Sequence, residues 1–380
     1  MSRRPRERKS RGRSHVGERF EVEVEAIAHG GHCVARLPSA VEEGAQRPSR
    51  DRVVFVRHAL PGERVVVSVT EGSDGDRFWR GDAVSVVTPS PDRVSAPCPY
   101  AGPGLCGGCD FQHATPAAQR ALKAHVVREQ LSRLAGLELD VSVEEVPPQL
   151  RWRSRMRYVA LPGGARGLHV HRSDEVVEID DCLIDVGTPA PEVETVATTY
   201  GTRQFRVDPD GFWQSHLEAP RVLVETVLSL VEPSPGEKVL DLYAGVGLFA
   251  AYLADAVAPS GRVVAVEGSR LACRDARTNL PTSVRVEHGP VERVLASAYD
   301  EPFDVVVLDP PREGARRKVV TQIVDRGPRA VAYVACDPAA LARDVATFAE
   351  LGYSLRALRA LDLFPMTHHV ECVALLEKGR

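Results

Sequence analysis

The chain has 380 residues, of which 43% are hydrophobic and 26% charged, and its net charge at pH 7 is −4. That length exceeds one ordinary core, so two or three domains are expected. No apolar run approaches the ~20 residues of a membrane span and no apolar stretch follows the basic N-terminal residues, which excludes a spanning helix or a secretory signal; the expectation is a cytoplasmic protein whose eight cysteines stay reduced.

Residues 1–16 form an expected basic, disordered tail, since Met1–Arg13 carries six arginines and one lysine against Glu7. Such a tail serves either as a phosphate-touching arm or as a plain solubilising one. Over residues 17–89, short alternating runs (Phe20–Ile27, Val53–Val56, Glu63–Thr70, Gly81–Val87) are separated by turns such as His29-Gly30-Gly31-His32 and Leu60-Pro61-Gly62. This pattern predicts a small OB-type β-barrel with a polar loop at Val41–Asp51. Residues 90–215 are expected to form a central domain. It opens on the Pro- and Cys-rich stretch Thr88–His113 and continues in a helix over Pro116–Leu134, capped by Thr115 with Pro116 in first position. Mixed character follows, with β tendency at Tyr158–Leu161 and Val176–Ile179.

Over residues 216–380 strands alternate with helices. The strand candidates are Lys238–Leu242, Arg262–Val266, Ser283–Glu287, Val305–Leu308, Ala330–Ala335, Ser354–Leu363 and His369–Leu376. The fold class is therefore multidomain: an OB-type β-barrel, a small central α+β domain, and a C-terminal α/β doubly wound domain that binds its ligand at the carboxyl ends of the strands.

The run Val239–Ala250 reads as strand, glycine turn and helix start, with Gly245 and Gly247 letting backbone approach a ligand. The next strand ends in Glu267, a carboxylate able to accept two ribose hydroxyls. Gly245-Val-Gly-Leu-Phe-Ala250 also satisfies a dinucleotide fingerprint, so an NAD-dependent oxidoreductase competes. Asp241, suited to the amino-acid part of S-adenosylmethionine (SAM), and Asp309-Pro-Pro-Arg312 at the end of a later strand favour SAM.

Cys336-Asp337-Pro338 follows strand Ala330–Ala335, and the proline ends the strand, so Cys336 sits at its carboxyl end. A buried small hydrophobe, a metal ligand and a nucleophile are the possible roles. The chemistry favours the third. Carbon 5 of uracil becomes enolate-like when a thiolate adds to carbon 6, and a base must later remove the carbon 5 proton. Glu371 is a candidate for that base, and an ordinary strand carboxylate otherwise. Nothing nearby in sequence lowers the Cys336 pKa, and Asp337 would raise it. Cys98, Cys106 and Cys109 fall within twelve residues, and Cys182 offers a fourth thiol. A [4Fe-4S] cluster and Zn²⁺ fit this spacing equally, with redox thiols or chance grouping as other readings. Arg151-Trp-Arg-Ser-Arg-Met-Arg157 interleaves four arginines with Trp152, as a phosphate grip with a stacking ring would; a solvated strand edge is the plainer account.

Taken together these residues resemble the uracil-C5 RNA methyltransferases, the group containing the bacterial tRNA and 23S rRNA m5U enzymes. The resemblance covers nearly the whole chain, beginning with an N-terminal TRAM domain, itself an OB barrel. Cys106-Gly-Gly-Cys109-Asp-Phe-Gln-His113 is similar to the family's iron–sulfur motif, which with Cys98 and Cys182 implies a [4Fe-4S] centre rather than zinc. The resemblance implies SAM contacts from Gln214 in Phe212–His216, and from Tyr243, Glu267 and Asp309. It implies Cys336 as nucleophile and Glu371, in Met366–Glu371, as base. The implied partner is RNA with an unpaired or flipped uridine, most readily 23S rRNA and otherwise tRNA, with no DNA or membrane partner. A noncatalytic RNA-binding protein is the remaining alternative. Leu248 and Pro290 depart from the family, standing where polar residues usually contact SAM.

Overall fold

The computed structural model describes residues 12–37 and 51–379. Residues 1–11 of the expected basic tail and residues 38–50, with most of the expected polar loop, lie outside this description. Two compact units interleave along the chain. One takes the described residues up to Leu122, then Tyr158–Asp181 and Met366–His368; the other takes Lys123–Arg157, Cys182–Pro365 and the residues from His369 on. Segments of both units thus share the stretch 90–215, where the sequence suggests one contiguous central domain.

In the first unit, β1 (Arg19–Ala28), β2 (His32–Leu37), β3 (Arg52–Arg57), β4 (Arg64–Glu71) and β5 (Phe78–Thr88) close a barrel in the order β1-β2-β3-β5-β4. Alternate residues point inward, as the period of a strand requires: Val22 and Val24, Val54 and Val56, and Val65, Val67 and Val69 are all buried. The chain leaving the barrel is pinned by the fully buried Glu63, whose carboxylate accepts from Arg93 Nη2 at 2.6 Å, Leu60 N at 2.8 Å and Ser90 N at 3.0 Å. Such satisfaction is what a buried charge requires.

Helix α1 (Pro116–Ala135) begins as expected, with Ala118 N–H donating to Thr115 Oγ1 at 3.3 Å. After β6 (Val143–Glu145), the strands β7 (Val159–Ala160), β8 (Arg166–His169) and β9 (Val176–Glu178) make a small antiparallel sheet in the first unit. In the second unit β10 (Val193–Thr198) and β11 (Gly201–Arg206) form a hairpin.

The main sheet is then laid down by α2 (Ala219–Val231), β12 (Lys238–Leu242), α3 (Leu248–Val257), β13 (Arg262–Glu267), α4 (Arg270–Asn279), β14 (Arg285–His288), α5 (Val291–Ser297), β15 (Val305–Leu308), α6 (Arg316–Asp325), β16 (Ala330–Ala335), α7 (Pro338–Glu350), β17 (Tyr353–Asp362) and β18 (Glu371–Lys378). The strand order is β14-β13-β12-β15-β16-β18-β17-β6, with β18 antiparallel to both its neighbours. Every residue of β15 and β16 is buried, the mark of strands covered by helices on both faces. Order reverses at β12, which has β13 on one side and β15 on the other, so a ligand crevice is expected at its carboxyl end. At the far edge, β6 joins β17, and the buried Lys123 Nζ donates to Asp362 Oδ1 at 2.5 Å and to Phe364 O at 3.0 Å. Among the described residues no helix is long and apolar enough to cross a membrane.

Candidate active site

At the end of β12 the backbone turns through Tyr243, Gly245 and Gly247, with φ of 61°, 57° and 92°. Glycine suits this left-handed geometry, and at Gly247 a Cβ would also fall 2.8 Å from the Leu280 side chain. The turn closes through Gly247 N–H donating to Ala244 O at 2.9 Å, and Ala244 N–H to Val266 O at 3.1 Å. Glu267 locks it from β13: its carboxylate accepts Gly245 N–H at 2.9 Å and Ser269 N–H at 2.6 Å. Each of those oxygens keeps a lone pair for another donor, so the ribose role read from the sequence stays chemically available. Tyr243 is half-buried, and burial raises its phenol to about 12. Leu248 packs into the core at the head of α3 and Pro290 precedes α5, so neither side chain offers a polar group to the crevice.

Three carboxyls crowd this end of the sheet. Asp241 accepts Ala250 N–H at 2.9 Å through Oδ2, while its Oδ1 is buried with no hydrogen-bond partner among the described residues. Burial, with Asp309 and Glu267 adding their charge, pushes Asp241 up to about 8. Asp309, just past β15, accepts from Gln214 Nε2 at 3.2 Å, and burial pushes it up to about 7 against that hydrogen bond. Glu371 opens β18, is buried, and leaves Oε1 without a hydrogen-bond partner among the described residues. Burial first and Asp309 second hold its carboxyl well above the usual range.

Cys336 meets Glu371 by register. In the antiparallel pair β16–β18, Ala330 lies opposite Glu377 and Ala335 opposite Cys372. One further step along both chains sets Cys336 against Glu371, with both side chains toward the same face. Asp337 caps α7 by accepting Ala340 N–H at 2.8 Å, with Pro338 in the first turn, so Cys336 stands immediately before a helix N-terminus. Burial pushes the half-buried thiol up to about 12, and Glu371, Asp309 and Asp337 act in the same direction. Arg312 opposes them; it is the cation that lowers the thiol, and its Nη2 lies 3.1 Å from His369 Nε2. Sequence spacing gave no hint of this neighbour, because Arg312 and His369 arrive from opposite sides of β16.

Known proteins are similar to this chain. A family model described as TRAM domain matches residues 13–84, one described as methyltransferase small domain matches 205–332, and one described as tRNA (uracil-5-)-methyltransferase matches 291–379. An RNA methyltransferase of Streptomyces avermitilis is 43% identical over 95% of this chain and 99% of its own length. The chain belongs to the RNA uracil-C5 methyltransferase family. The 23S rRNA (uracil(1939)-C(5))-methyltransferase RlmD of Acinetobacter baumannii is 27% identical over 94% of this chain and 96% of its own. The crystal structure of Pyrococcus abyssi tRNA (uracil-54, C5)-methyltransferase with S-adenosyl-L-homocysteine shares the fold, at TM-score 0.64 and 23% identity, covering 85% of this chain and 94% of that one. The chain is a SAM-dependent RNA uracil methyltransferase with a TRAM barrel at residues 13–84.

The residues present fit SAM. Buried carboxyls at Asp241, Asp309 and Glu371, two of them with an orphaned oxygen, suit a ligand carrying a sulfonium and an ammonium. The cysteine loop differs. Its backbone is pinned, with Cys106 bridged to Val170, Gly107 N–H donating to His169 O at 3.0 Å, and Cys98 N–H donating to Gln112 Oε1 at 3.1 Å. Gly107 is needed there, since a Cβ would fall 2.6 Å from the His171 backbone. Among the described residues, however, no group of three or more His, Cys, Asp or Glu is disposed to hold a metal ion. The donor chemistry of the thiols nonetheless suits a cluster.

The arginine segment is also corrected. Trp152 is fully buried, stacked on His216 at 5.6 Å between centroids, so it offers no face to a base. Arg151 donates to the carbonyls of Cys182 at 3.0 Å and Asp185 at 3.2 Å, and Arg155 to those of Gly211 at 3.1 Å and Asp208 at 3.3 Å. These guanidiniums hold loops of the second unit together; Arg153 Nε donates to Arg155 O at 3.2 Å, and Arg157 is exposed.

Proposed function

We propose that this enzyme methylates carbon 5 of a uridine in 23S rRNA, with Cys336 as nucleophile and Glu371 as base. The observation that supports the reading is the β16–β18 register, whose last pair, Ala335 and Cys372, adjoins Cys336 and Glu371 at the carboxyl end of β16. SAM, held by Gln214, Tyr243, Gly245, Gly247, Glu267 and Asp309, supplies an electrophilic methyl group.

The chain's own residues do the rest. The Cys336 thiolate bonds to carbon 6 of the uracil, and the carbon 5–carbon 6 π electrons pass to carbon 5, with charge shared by the ring carbonyl. Once carbon 5 bears both methyl and hydrogen, the Glu371 carboxylate takes that proton, the double bond re-forms, and the thiolate leaves. A buried carboxylate with one oxygen lacking a hydrogen-bond partner among the described residues is a strong base for this step, as the raised pKa of Glu371 implies. Arg312 offsets part of the acidic surroundings that hold Cys336 in its thiol form. Asp309, tied by Gln214, is available to orient the planar ring.

The choice of 23S rRNA rests on the full-length similarity to the Acinetobacter enzyme. A tRNA substrate is favoured instead by the name of the family model at 291–379 and by the Pyrococcus fold. Mass-spectrometric mapping of m5U in rRNA and tRNA from a deletion strain separates the two. Loss of one rRNA m5U is the expected result, and loss confined to tRNA would select the other. We also infer that Cys98, Cys106, Cys109 and Cys182 are the donors of the [4Fe-4S] centre the family resemblance implies, with zinc the alternative; no step of the reaction runs through it.

A further inference from the structure

The loop between β15 and α6 carries Asp309 and Arg312, and its far end is held by groups that the chemistry above does not use. Helix α6 has no side-chain cap from its own N-terminal residue. Asp344, buried in α7, supplies one from outside: Ala315 N–H donates to its Oδ2 at 2.7 Å, and Arg316 N–H reaches both oxygens at 3.2 Å. The fully buried Tyr333 of β16 donates its hydroxyl to the same Oδ2 at 2.6 Å and accepts Ala315 N–H at 3.1 Å. Burial and the Asp344 charge hold this phenol far above its ordinary range, so it remains a donor. Gly314 passes so close, at φ 81°, that a Cβ would fall 2.6 Å from Asp344 Oδ2. Between the two ends, Pro310 and Pro311 fix their own φ, and Gly314 N–H donates to Pro311 O at 2.8 Å. The near end is tied by Asp309 N–H to Leu242 O at 3.3 Å and by Gln214. The loop is thus a short, stiff span clamped at both ends, and Arg312 stands on it.

We propose that Asp344 is a positioning residue for methyl transfer: with Tyr333 it clamps the Gly314–Arg316 end of this loop and so holds Arg312 where its charge acts on Cys336. A buried carboxylate that gathers two backbone N–H groups and a phenol fixes a loop far more tightly than an exposed side chain would. The proposal rests on Cys336 being the nucleophile.

The test uses the full chain with Asp344→Asn on one side of the clamp and Gly314→Ala on the other. It reads kcat, KM for SAM, melting temperature, and the pH profile of Cys336 alkylation by iodoacetamide, followed on the Cys336 peptide. Both variants are expected to lower kcat by roughly 10- to 100-fold, the scale of a small misplacement of reacting groups. Both should slow Cys336 alkylation at a given pH, while KM for SAM changes less than threefold because the glycine turn is untouched. Tyr333→Phe, which keeps ring and carboxylate, should show the same pattern more weakly and serves if Asp344→Asn does not fold. Folded variants with unchanged kcat and an unchanged alkylation profile would overturn the clamp. Activity surviving in Cys336→Ala would instead overturn the nucleophile reading; the alkylation profile still reports the loop in that case, so the two failures are distinct.

Discussion

Two groups of cysteines stand out in this chain, and the fold treats them differently. Cys336 follows a strand buried along its whole length, and the neighbouring strand fixes residue by residue what faces it. The thiols of Cys98, Cys106 and Cys109 sit in an irregular loop anchored by a few backbone bonds, and no register sets them against one another. Spacing in a sequence reports which chemistry a residue type can support; pairing in a sheet decides which groups meet.

The largest effect separates these groups. Replacing Cys336 by Ala should cut tritium release from uridine-labelled RNA by roughly 10⁴-fold or more, the scale of losing a covalent nucleophile. Replacing Cys98, Cys106 and Cys109 together by Ser should abolish iron and sulfide content, read by metal and sulfide analysis. Any of that triple variant that folds should retain methyl transfer, because no step passes through the loop. Comparable loss of chemistry in both variants, at equal folded fraction, would erase the distinction.

Glu371→Gln sharpens the picture at the strand end. Turnover should fall roughly 10²- to 10⁴-fold, as for loss of a general base, while a covalent protein–RNA species accumulates. The same substitution should speed Cys336 alkylation in RNA-free enzyme, because one carboxyl that raises the thiol pKa is gone. Slower alkylation would contradict the assigned electrostatics.

How much of this was legible beforehand varies by region. The strands of the sheet could be read within a residue or two, because buried parallel strands such as Val305–Leu308 are continuous apolar runs bounded by turns. The barrel was legible from its alternation. Strand β6 was not: three residues carry little pattern, and their pairing with β17 is a contact across more than half the chain. The facing of Cys336 and Glu371 was likewise hidden, since it depends on β18 inserting antiparallel between β16 and β17. Trp152 misled for a physical reason. Alternating arginines around an aromatic look the same whether the ring points at a base or into the core, and here it stacks on His216 while Arg151 and Arg155 bind carbonyls. Arg312 was visible in the Asp-Pro-Pro-Arg motif, but its effect on Cys336 required the fold.

A smaller effect follows from the crowded carboxyls. Asp241 is raised to about 8 and Asp309 to about 7, above their unfolded values near 3.9. Groups raised in this way contribute stability below about pH 4 that is lost as pH climbs through 7 to 8. The protein without ligand should therefore melt lower at pH 8 than at pH 5. SAM, a sulfonium, should raise the melting temperature more than the neutral S-adenosylhomocysteine at pH 8, by about 2–4 °C per kcal/mol of added stability, with a smaller gap at pH 5. A gap independent of pH would show that these carboxyls do not sense the ligand's charge.

The most direct test of the central claim is to trap the enzyme on RNA carrying 5-fluorouridine, whose carbon 5 offers no proton to remove, and to map the attachment by peptide mass spectrometry. The account predicts a pyrimidine bonded through carbon 6 to Cys336 and to no other cysteine. Attachment elsewhere, or full methylation of ordinary RNA by an enzyme that never forms the bond, would contradict it.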